Sequence, residues 1–550
     1  MRLRLVCLLS ILITLSHARL IAQNLTSPKP YVSTVWVADQ GDGTYKNPIL
    51  YADYSDPDVI RVGGDYYMTS SSFNCTPGLP ILLSRDLVNW TLIGHALKKQ
   101  YPTEHYAVPR HGDGCWAPCL RYHEGQFYIY WGDPDFGIYR VQTADPSGAW
   151  SEPQLILEGK GLIDPSPLWD EHGDAWLVHG WAGSRAGVNS LLTVHRLSTD
   201  GSRVLDEGKH VFDGHDHHPT IEGPKFYKRN GYYYIFAPAG GVATGWQLAL
   251  RSKNIFGPYE EKIVLEQGLS PINGPHQGGW VDSPDGKSWF IHFQDLGAYG
   301  RIVHLQPMVW EADWPFIGTD QDGDRIGEPV LSHAKPKSEG NGLLCNPEES
   351  DEFNSDTLGL QWQWHANPQV QWSALMRGTG FLRLFPIGQP KETPNLWNTP
   401  NLLLQKFPAP DFSATTLVKW TVDSLGFKEK RAGLLIMGND YAGLSISRDE
   451  QGCQLSQIVC KNAPGGSNEQ VIVQQRIPGN SAYLRVQVSG PDARCQFSFS
   501  TDGTRFLPIG TSFQAKPDTW IGAKVGLFCS SFNPAKRGGY ADFDWFRITR

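Results

Sequence analysis

The feature that most constrains the fold is a short segment that recurs five times, each time just before an aromatic, β-branched run. The five copies carry Asp56, Trp116, Asp164, Glu222 and His276, at intervals of 60, 48, 58 and 54 residues. A repeat of about 50 residues that holds several strands is typical of a β-propeller, with one repeat per blade. The sequence therefore predicts a five-bladed β-propeller over residues 30–330.

The runs that follow these segments predict strands. They read GDYYMTSSS, GQFYIYWG, DAWLVHGW, GYYYIFAPAGG and KSWFIHFQD, and each is entered from a turn that carries Gly or Asp. In a propeller the first strand of each blade lines the central channel. We therefore expect the five marked residues, three of them acidic, to face one axis.

The rest of the chain predicts a second, different β domain. A polar stretch rich in Pro, Lys, Ser, Glu and Gly over residues 331–343 predicts a linker. Residues 344–550 contain alternating strands without the propeller interval, which predicts a β-sandwich. We expect its last strand, which begins at Tyr540, to pair with the first, so the whole chain is all-β.

Composition limits the class of partner. The formal net charge of −8 argues against nucleic acid as a partner. The chain has 20 Trp and 21 Tyr, whose flat faces either stack on sugar rings or pack the β-rich core. The cysteines beyond Cys7 are scattered, which excludes a dense disulfide framework and allows one to three disulfides.

Residues 1–23 have the pattern of a signal peptide. Arg2 and Arg4 precede an apolar run, from Leu5 to Leu15, that is too short to span a bilayer. No later stretch is apolar for long enough to predict a transmembrane helix. We therefore expect export to the periplasm or the extracellular space, without membrane insertion after signal cleavage.

Three of the channel residues suit acid–base chemistry. Hydrolysis of a glycosidic bond without a cofactor needs one protonated carboxyl group for the leaving group and one ionised group for water. A third negative charge nearby raises the pKa of the acid. Asp56, Asp164 and Glu222 meet this demand if they share one axis, although DPD and DPSP are also common turn sequences.

Five motifs, in order, resemble glycoside hydrolase family 43. They are NPILYADYSDPDVIRVGGDYYMTSSSF, CWAPCLRYHEGQFYIYW, IDPSPLWDEHGDAWLVHGW, HHPTIEGPKFYKRNGYYYIFAPAGG and GRIVHLQPMVWEADWPFIG. The resemblance runs from about Asn47 to the end, and the second domain resembles the concanavalin-A-like sandwich attached to such propellers. It implies a bacterial protein and a β-xylosidase, an α-L-arabinofuranosidase or an endo-arabinanase.

The resemblance also assigns catalytic roles. Asp56 matches the general base that activates water, and Glu222 matches the general acid. Asp164 matches the residue that raises the pKa of the acid and orients it. Asp53 and Asp58 receive no catalytic role.

Four further residues are implied in substrate binding. Arg301 matches an arginine that binds sugar hydroxyls, and Trp116 and Phe73 match aromatic walls of the terminal subsite. His276 matches a channel histidine that contacts a hydrated cation, commonly calcium. The alternatives are a surface arginine, aromatic residues packed in the core and a buried histidine with ordinary partners.

The chemistry itself requires no cofactor. Beyond the channel, acidic residues near the two ends of the sandwich, Asp351 and Asp542, suggest a structural Ca²⁺ that a closing strand would bring together.

The two-domain organisation and the stretch SSSFNCTPGLPILL favour an exo-acting enzyme. We expect removal of terminal α-L-arabinofuranosyl units from plant hemicellulose or its oligosaccharides, with β-D-xylosyl units as the rival substrate. A non-catalytic sugar-binding protein is an alternative, although it needs no such carboxylate set. A retaining fructan hydrolase is another, but the RDP element expected of it is absent.

Overall fold

The computed structural model describes residues 30–338, 343–376, 378–389, 394–422, 429–533 and 538–550. The predicted signal peptide, residues 1–23, lies outside this part of the chain. Within it, regular structure is almost entirely β. The helices are α1 (Gly183–Ala186) and the short 3₁₀ turns His105–Ala107, Gly297–Tyr299, Val370–Trp372 and Ala463–Gly465. No helix in these ranges combines the length and apolarity needed to cross a membrane.

The first domain is a five-bladed propeller, as predicted, in which each blade is one antiparallel sheet of four consecutive strands. A short strand, β1 (Thr44–Lys46), precedes the blades. Blade 1 holds β2 (Asp58–Val62), β3 (Asp65–Thr69), β4 (Gly78–Ser84) and β5 (Trp90–Leu97). Blade 2 holds β6 (Trp116–His123), β7 (Gln126–Asp133), β8 (Gly137–Thr143) and β9 (Gln154–Glu158). Blade 3 holds β10 (Leu162–Trp169), β11 (Ala175–Trp181), β12 (Leu191–Leu197) and β13 (Lys209–Asp213). Blade 4 holds β14 (Lys225–Arg229), β15 (Tyr232–Ala239), β16 (Trp246–Ser252) and β17 (Glu260–Leu265). Blade 5 holds β18 (His276–Asp282), β19 (Ser288–Asp295), β20 (Arg301–Glu311) and β21 (Trp314–Ile317).

The aromatic runs form the second strand of each blade, and many of their rings pack between blades. Tyr67 of blade 1 meets Phe127 of blade 2 with ring centroids 4.9 Å apart. Trp176 of blade 3 meets Phe256 of blade 4 edge to face at 5.5 Å. Such pairs add to the burial of their area. Much of the aromatic content therefore holds neighbouring blades together, as the core-packing alternative expected.

The ring is closed by segments from both ends of the propeller. Strand β22 (Ser332–Ala334) pairs antiparallel with β1, and Leu50 bridges to Val303. Within the predicted linker, residues 331–343, Ser332–Ala334 therefore make ladder hydrogen bonds back to the propeller.

The second domain is a sandwich of two eight-stranded sheets. One sheet holds β23 (Gln363–Trp364), β26 (Ile387–Gly388), β27 (Leu403–Lys406), β29 (Lys430–Met437), β30 (Tyr441–Asp449), β31 (Gly452–Cys460), β32 (Gln470–Arg476) and β37 (Lys524–Ser531). The other holds β24 (Ser373–Met376), β25 (Phe381–Leu384), β28 (Phe412–Thr421), β33 (Ser481–Ser489), β34 (Arg494–Ser500), β35 (Leu507–Pro508), β36 (Phe513–Gln514) and β38 (Tyr540–Thr549). The two ends meet at one isolated bridge, where Asp351 and Phe546 exchange both backbone hydrogen bonds at 2.7 Å. The predicted pairing of the last strand with the first is wrong, because β38 pairs with β25 and β28 whereas β23 lies in the other sheet.

The two domains share one hydrophobic core. Val35, Tyr299 and Ile302 from the first domain are buried in the same cluster as the sandwich interior. Backbone hydrogen bonds also cross the boundary, where Thr76 and Trp364 exchange N–H···O contacts of 3.1 and 2.6 Å. The sandwich is therefore fixed against the propeller.

The cysteines contribute no covalent cross-link. All eight cysteines of the described ranges carry free thiols, and seven of them are buried. The disulfides that the sequence allowed are absent among these residues.

Candidate active site

The inner strands converge on a pocket with a volume of about 80 Å³. Four of the five marked residues line it, and His276 lies behind it against Glu222. The lining comprises Asp56, Phe73, Trp116, Ala117, Ile163, Asp164, Glu222, Val242, Gln277, Arg301 and Trp520.

An unusual backbone aims these side chains into the pocket. Six of the lining residues have left-handed φ, namely Asp56 at 53°, Phe73 at 49°, Ala117 at 34°, Asp164 at 57°, Gln277 at 38° and Trp520 at 66°. Non-glycine residues seldom adopt this region, and they tend to do so at functional sites. The register also shifts near the start of β6, β10 and β18, as β-bulges do where a side chain is redirected. The sequence does not reveal this geometry.

Asp56 is held by two donors. Ser71 Oγ donates to Asp56 Oδ2 at 2.5 Å, and Arg301 Nη1 donates to Asp56 Oδ1 at 2.9 Å. Ala117 N donates to Ser71 Oγ at 2.7 Å and so orients the hydroxyl. Both oxygens of Asp56 therefore accept hydrogen bonds, which is the state that a general base needs.

Asp164 is the most deeply buried of the three carboxyl groups. Gly223 N donates to Asp164 Oδ2 at 2.8 Å, which ties this carboxyl group to the residue after Glu222. Burial, and then the negative charge of Glu222, raise the pKa of Asp164 well above its ordinary value. Gly223 has φ 57°, and a Cβ there would lie 2.6 Å from Gln277 Cδ, so glycine is required at this close approach.

Glu222 is the most accessible of the three. Its side chain is 33% exposed, against 6% for Asp56, so it faces the open side of the pocket. His276 Nε2 lies 3.1 Å from Glu222 Oε1. This contact fixes the carboxyl group where it can reach a leaving group.

Arg301 and the aromatic side chains form the remaining wall. Arg301 is buried, and its Nε has no hydrogen-bond partner. Phe73 and Trp116 meet edge to face at 6.3 Å. An apolar wall beside an unpaired buried donor suits a ligand that combines C–H faces with hydroxyl acceptors.

Trp520 was not singled out from the sequence. It lies in the sandwich loop between β36 and β37, and its ring meets Trp116 at 6.0 Å. Nothing in the sequence around it marks a pocket residue, because its position depends on how the two domains pack. Trp520 thus adds a wall from the sandwich to the pocket.

Asp53 and Asp58 lie near the site and make structural contacts. Asp53 accepts hydrogen bonds from Arg301 N and Gly522 N, both at 2.9 Å, and so links the pocket to the sandwich. Asp58 Oδ2 accepts from Leu120 N at 2.7 Å and forms an ion pair with Arg121 Nη1 at 2.8 Å.

The predicted calcium ligands of the sandwich are not brought together. Asp542 forms a bidentate ion pair with Arg383, at 2.7 and 2.9 Å. Asp351 accepts hydrogen bonds from backbone N–H groups and from Trp362 Nε1 at 2.9 Å. Each carboxylate therefore has its own partners.

The channel offers a mixed setting for the cation expected at His276. His276 Nε2 faces Glu222, and the buried Nδ1 has no partner. Lys225, however, is fully buried beside the site, with Nζ donating to Pro118 O at 2.7 Å. The metal role of His276 stays a prediction.

A pocket that holds two carboxyl groups with distinct surroundings, a third buried one and an aromatic wall defines a glycoside hydrolase. Residues 45–315 match Glycosyl hydrolases family 43, and residues 350–549 match the β-xylosidase C-terminal concanavalin A-like domain. A protein of Xylanibacter ruminicola, provisionally named a β-xylosidase, is 40% identical over 92% of this chain and 90% of its own length. The chain belongs to glycosyl hydrolase family 43.

Two further comparisons agree. A β-xylosidase of Formosa agariphila is 34% identical over 92% of this chain and 90% of its own. The crystal structure of a xylan β-1,4-xylosidase from Bacillus halodurans C-125 superposes with a TM-score of 0.80 at 25% identity, over 92% of this chain and all of that one.

Proposed function

We propose that the protein is an inverting, exo-acting β-xylosidase that removes terminal xylosyl units from hemicellulose oligosaccharides. The observation that carries the proposal is the small pocket, which is lined by three carboxyl groups and has a sandwich residue, Trp520, in its wall. The names of the similar proteins favour xylose. For that reason we place β-xylosyl substrates ahead of the α-L-arabinofuranosyl units that the sequence favoured.

The proposed mechanism assigns one task to each carboxyl group. Asp56 takes a proton from a water molecule as the water oxygen attacks the anomeric carbon. Glu222 donates its proton to the glycosidic oxygen while the bond to the anomeric carbon breaks. The water attacks the face opposite the leaving group, so the configuration inverts.

Asp164 and Arg301 support this exchange. Asp164 places a second carboxyl group beside Glu222, and its hydrogen bond to Gly223 N orients the segment that carries the acid. Arg301 holds Asp56 through Nη1 and has Nε left for a sugar hydroxyl.

The proposed cellular location follows from the signal-peptide pattern of residues 1–23. We propose that residues 1–23 direct export, so that the enzyme meets plant cell-wall oligosaccharides in the periplasm or outside the cell. Nucleic acid and membrane insertion form no part of the proposal.

A panel of nitrophenyl pentosides tests the activity. We expect the highest kcat/KM on the β-D-xylopyranoside, release of xylose from xylobiose, and loss of both activities in Asp56→Asn. A higher kcat/KM on the α-L-arabinofuranoside would restore the rival substrate. Tight sugar binding without turnover on any pentoside would favour the sugar-binding protein.

A further inference from the structure

A second cluster of ionisable side chains lies where the propeller meets the sandwich. His111 precedes β6, His365 follows β23, and Asp518 lies between β36 and β37, and each offers one donor atom within 4.8 Å of the others. The side chains of His111 and Asp518 are 8% and 5% exposed, and His365 is buried. The fold thus assembles this interface cluster from three segments of two domains.

The two contacts of His111 cannot both be made by a neutral imidazole facing an ionised carboxylate. Its Nδ1 lies 2.8 Å from Asp518 Oδ2, and its Nε2 lies 3.0 Å from the carbonyl oxygen of Trp397. Both facing atoms can only accept, whereas a neutral imidazole carries a single N–H. A second proton, on His111 or on the Asp518 carboxyl group, or a metal ion between Nδ1 and the carboxylate completes the contact.

The tautomer of His365 favours the metal ion over the second proton. Its Nδ1 lies 3.1 Å from the carbonyl oxygen of Thr399, which places the proton on Nδ1 and the lone pair on Nε2. A second proton on either group serves only the pair of His111 and Asp518. A metal ion is shared by all three groups.

We propose that His111, His365 and Asp518 form a binding site for a divalent transition-metal ion of the zinc class. Two imidazoles and one carboxylate suit Zn²⁺, whereas Ca²⁺ prefers a shell of oxygen ligands. Metal-binding histidines commonly donate their other N–H to a carbonyl, as both histidines do here. Three protein ligands leave one tetrahedral position for water.

The site has a structural role beside the pocket. Asp518 lies two residues before Trp520, and Gly112, next to His111, packs against Thr519 so closely that a Cβ would lie 2.5 Å from Thr519 Cγ2. A metal ion at this point joins the loop that carries Trp520 to the propeller.

Metal content and thermal stability test the proposal. Tag-free, full-length protein is stripped with a chelator, dialysed, and titrated with ZnCl₂ or CoCl₂. We expect one bound equivalent, a higher Tm than the stripped protein, and the visible absorption of tetrahedral Co²⁺. Asp518→Asn and His365→Ala should lose the equivalent, with a fall in affinity beyond the ~10–100-fold typical of changes in outer hydrogen-bond partners.

A matched control is His123→Ala. His111 stacks on Trp397 with ring centroids 3.5 Å apart, and His123 stacks in the same way on Trp169 at 4.7 Å but lies outside the cluster, so this variant should keep the metal. Absence of bound metal and of any Tm shift in the wild-type protein would overturn the proposal and assign the second proton to His111 or Asp518. Retention of the equivalent in folded Asp518→Asn and His365→Ala would also overturn it. These readouts are independent of the sugar that the enzyme cleaves.

Discussion

At the scale of single residues, Asp164 is a buried carboxyl group, and burial disfavours its ionised form. Its pKa is raised by burial and by Glu222, so its stabilising effect is complete at low pH, where the group is neutral. That effect is lost as the pH rises through the raised pKa, because ionisation of the buried group then costs free energy. The ionised form of Asp164 therefore lowers the free energy of unfolding at alkaline pH.

We expect Asp164→Asn to raise Tm by a few degrees at alkaline pH. Near pH 4, close to the ordinary Asp pKa of about 3.9, we expect little change in Tm. Asn keeps an acceptor for Gly223 N–H, and it removes the charge. Activity should fall, and the alkaline limb of the pH–rate profile should move to lower pH, since the carboxyl pair that sets this limb is broken.

Asp133→Asn is the matched control for this change. Burial raises the pKa of Asp133 to about 7, and its carboxyl group accepts from Tyr106 OH at 2.6 Å, outside the pocket. This variant should gain stability in the same direction and leave the pH–rate profile in place. An alkaline limb that stays unchanged in Asp164→Asn would remove Asp164 from its assigned role.

Glu222→Gln tests the acid. An activated nitrophenolate leaves without much help from a proton, whereas a sugar alcohol does not. We expect a loss of at least ~100-fold on xylobiose, with a much smaller loss on the nitrophenyl xyloside. Steady-state kinetics on both substrates measure the ratio, and an equal loss on both would exclude the acid role.

At the scale of elements, the repeat predicted where each blade begins, and four of its five marked residues line the pocket. The aromatic runs are the strands β3, β7, β11, β15 and β19. The left-handed φ of Asp56 and Asp164 and the bulges beside them were not predictable, because these residue types also form ordinary turns. The same limit applies to β22, whose short polar sequence resembles a linker until its pairing with β1 is seen.

The loop that carries Trp520 is the element that the sequence left without a role. Trp520 is 49% exposed, so truncation should cost little stability. Trp520→Ala should raise KM for xylobiose by roughly tenfold, or about 1.4 kcal/mol, with kcat nearly unchanged, since an aromatic contact to the sugar is lost.

Phe532→Ala is the control for Trp520→Ala. Phe532 is 53% exposed on the sandwich and lies outside the pocket lining, so its truncation should leave KM unchanged. Equal KM values for the wild-type protein and Trp520→Ala would show that this wall does not contact substrate.

At the scale of the whole molecule, the sandwich completes the catalytic propeller. The Asp53 carboxylate accepts hydrogen bonds from Arg301 N of the propeller and from Gly522 N of the sandwich. One carboxylate therefore fixes both the arginine that holds Asp56 and the loop that carries Trp520. Domain packing of this kind explains why the two domains were predictable one by one and the complete pocket was not.

The central claim is inversion at the anomeric carbon by Asp56 and Glu222. The most direct measurement is proton NMR of the first product formed from a β-D-xyloside, recorded before the free sugar equilibrates between its anomers. We expect the signal of α-D-xylose to appear first and the signal of the β anomer to increase later by mutarotation. Initial release of β-D-xylose would contradict it, because that result requires a covalent glycosyl-enzyme in place of a water molecule activated by Asp56.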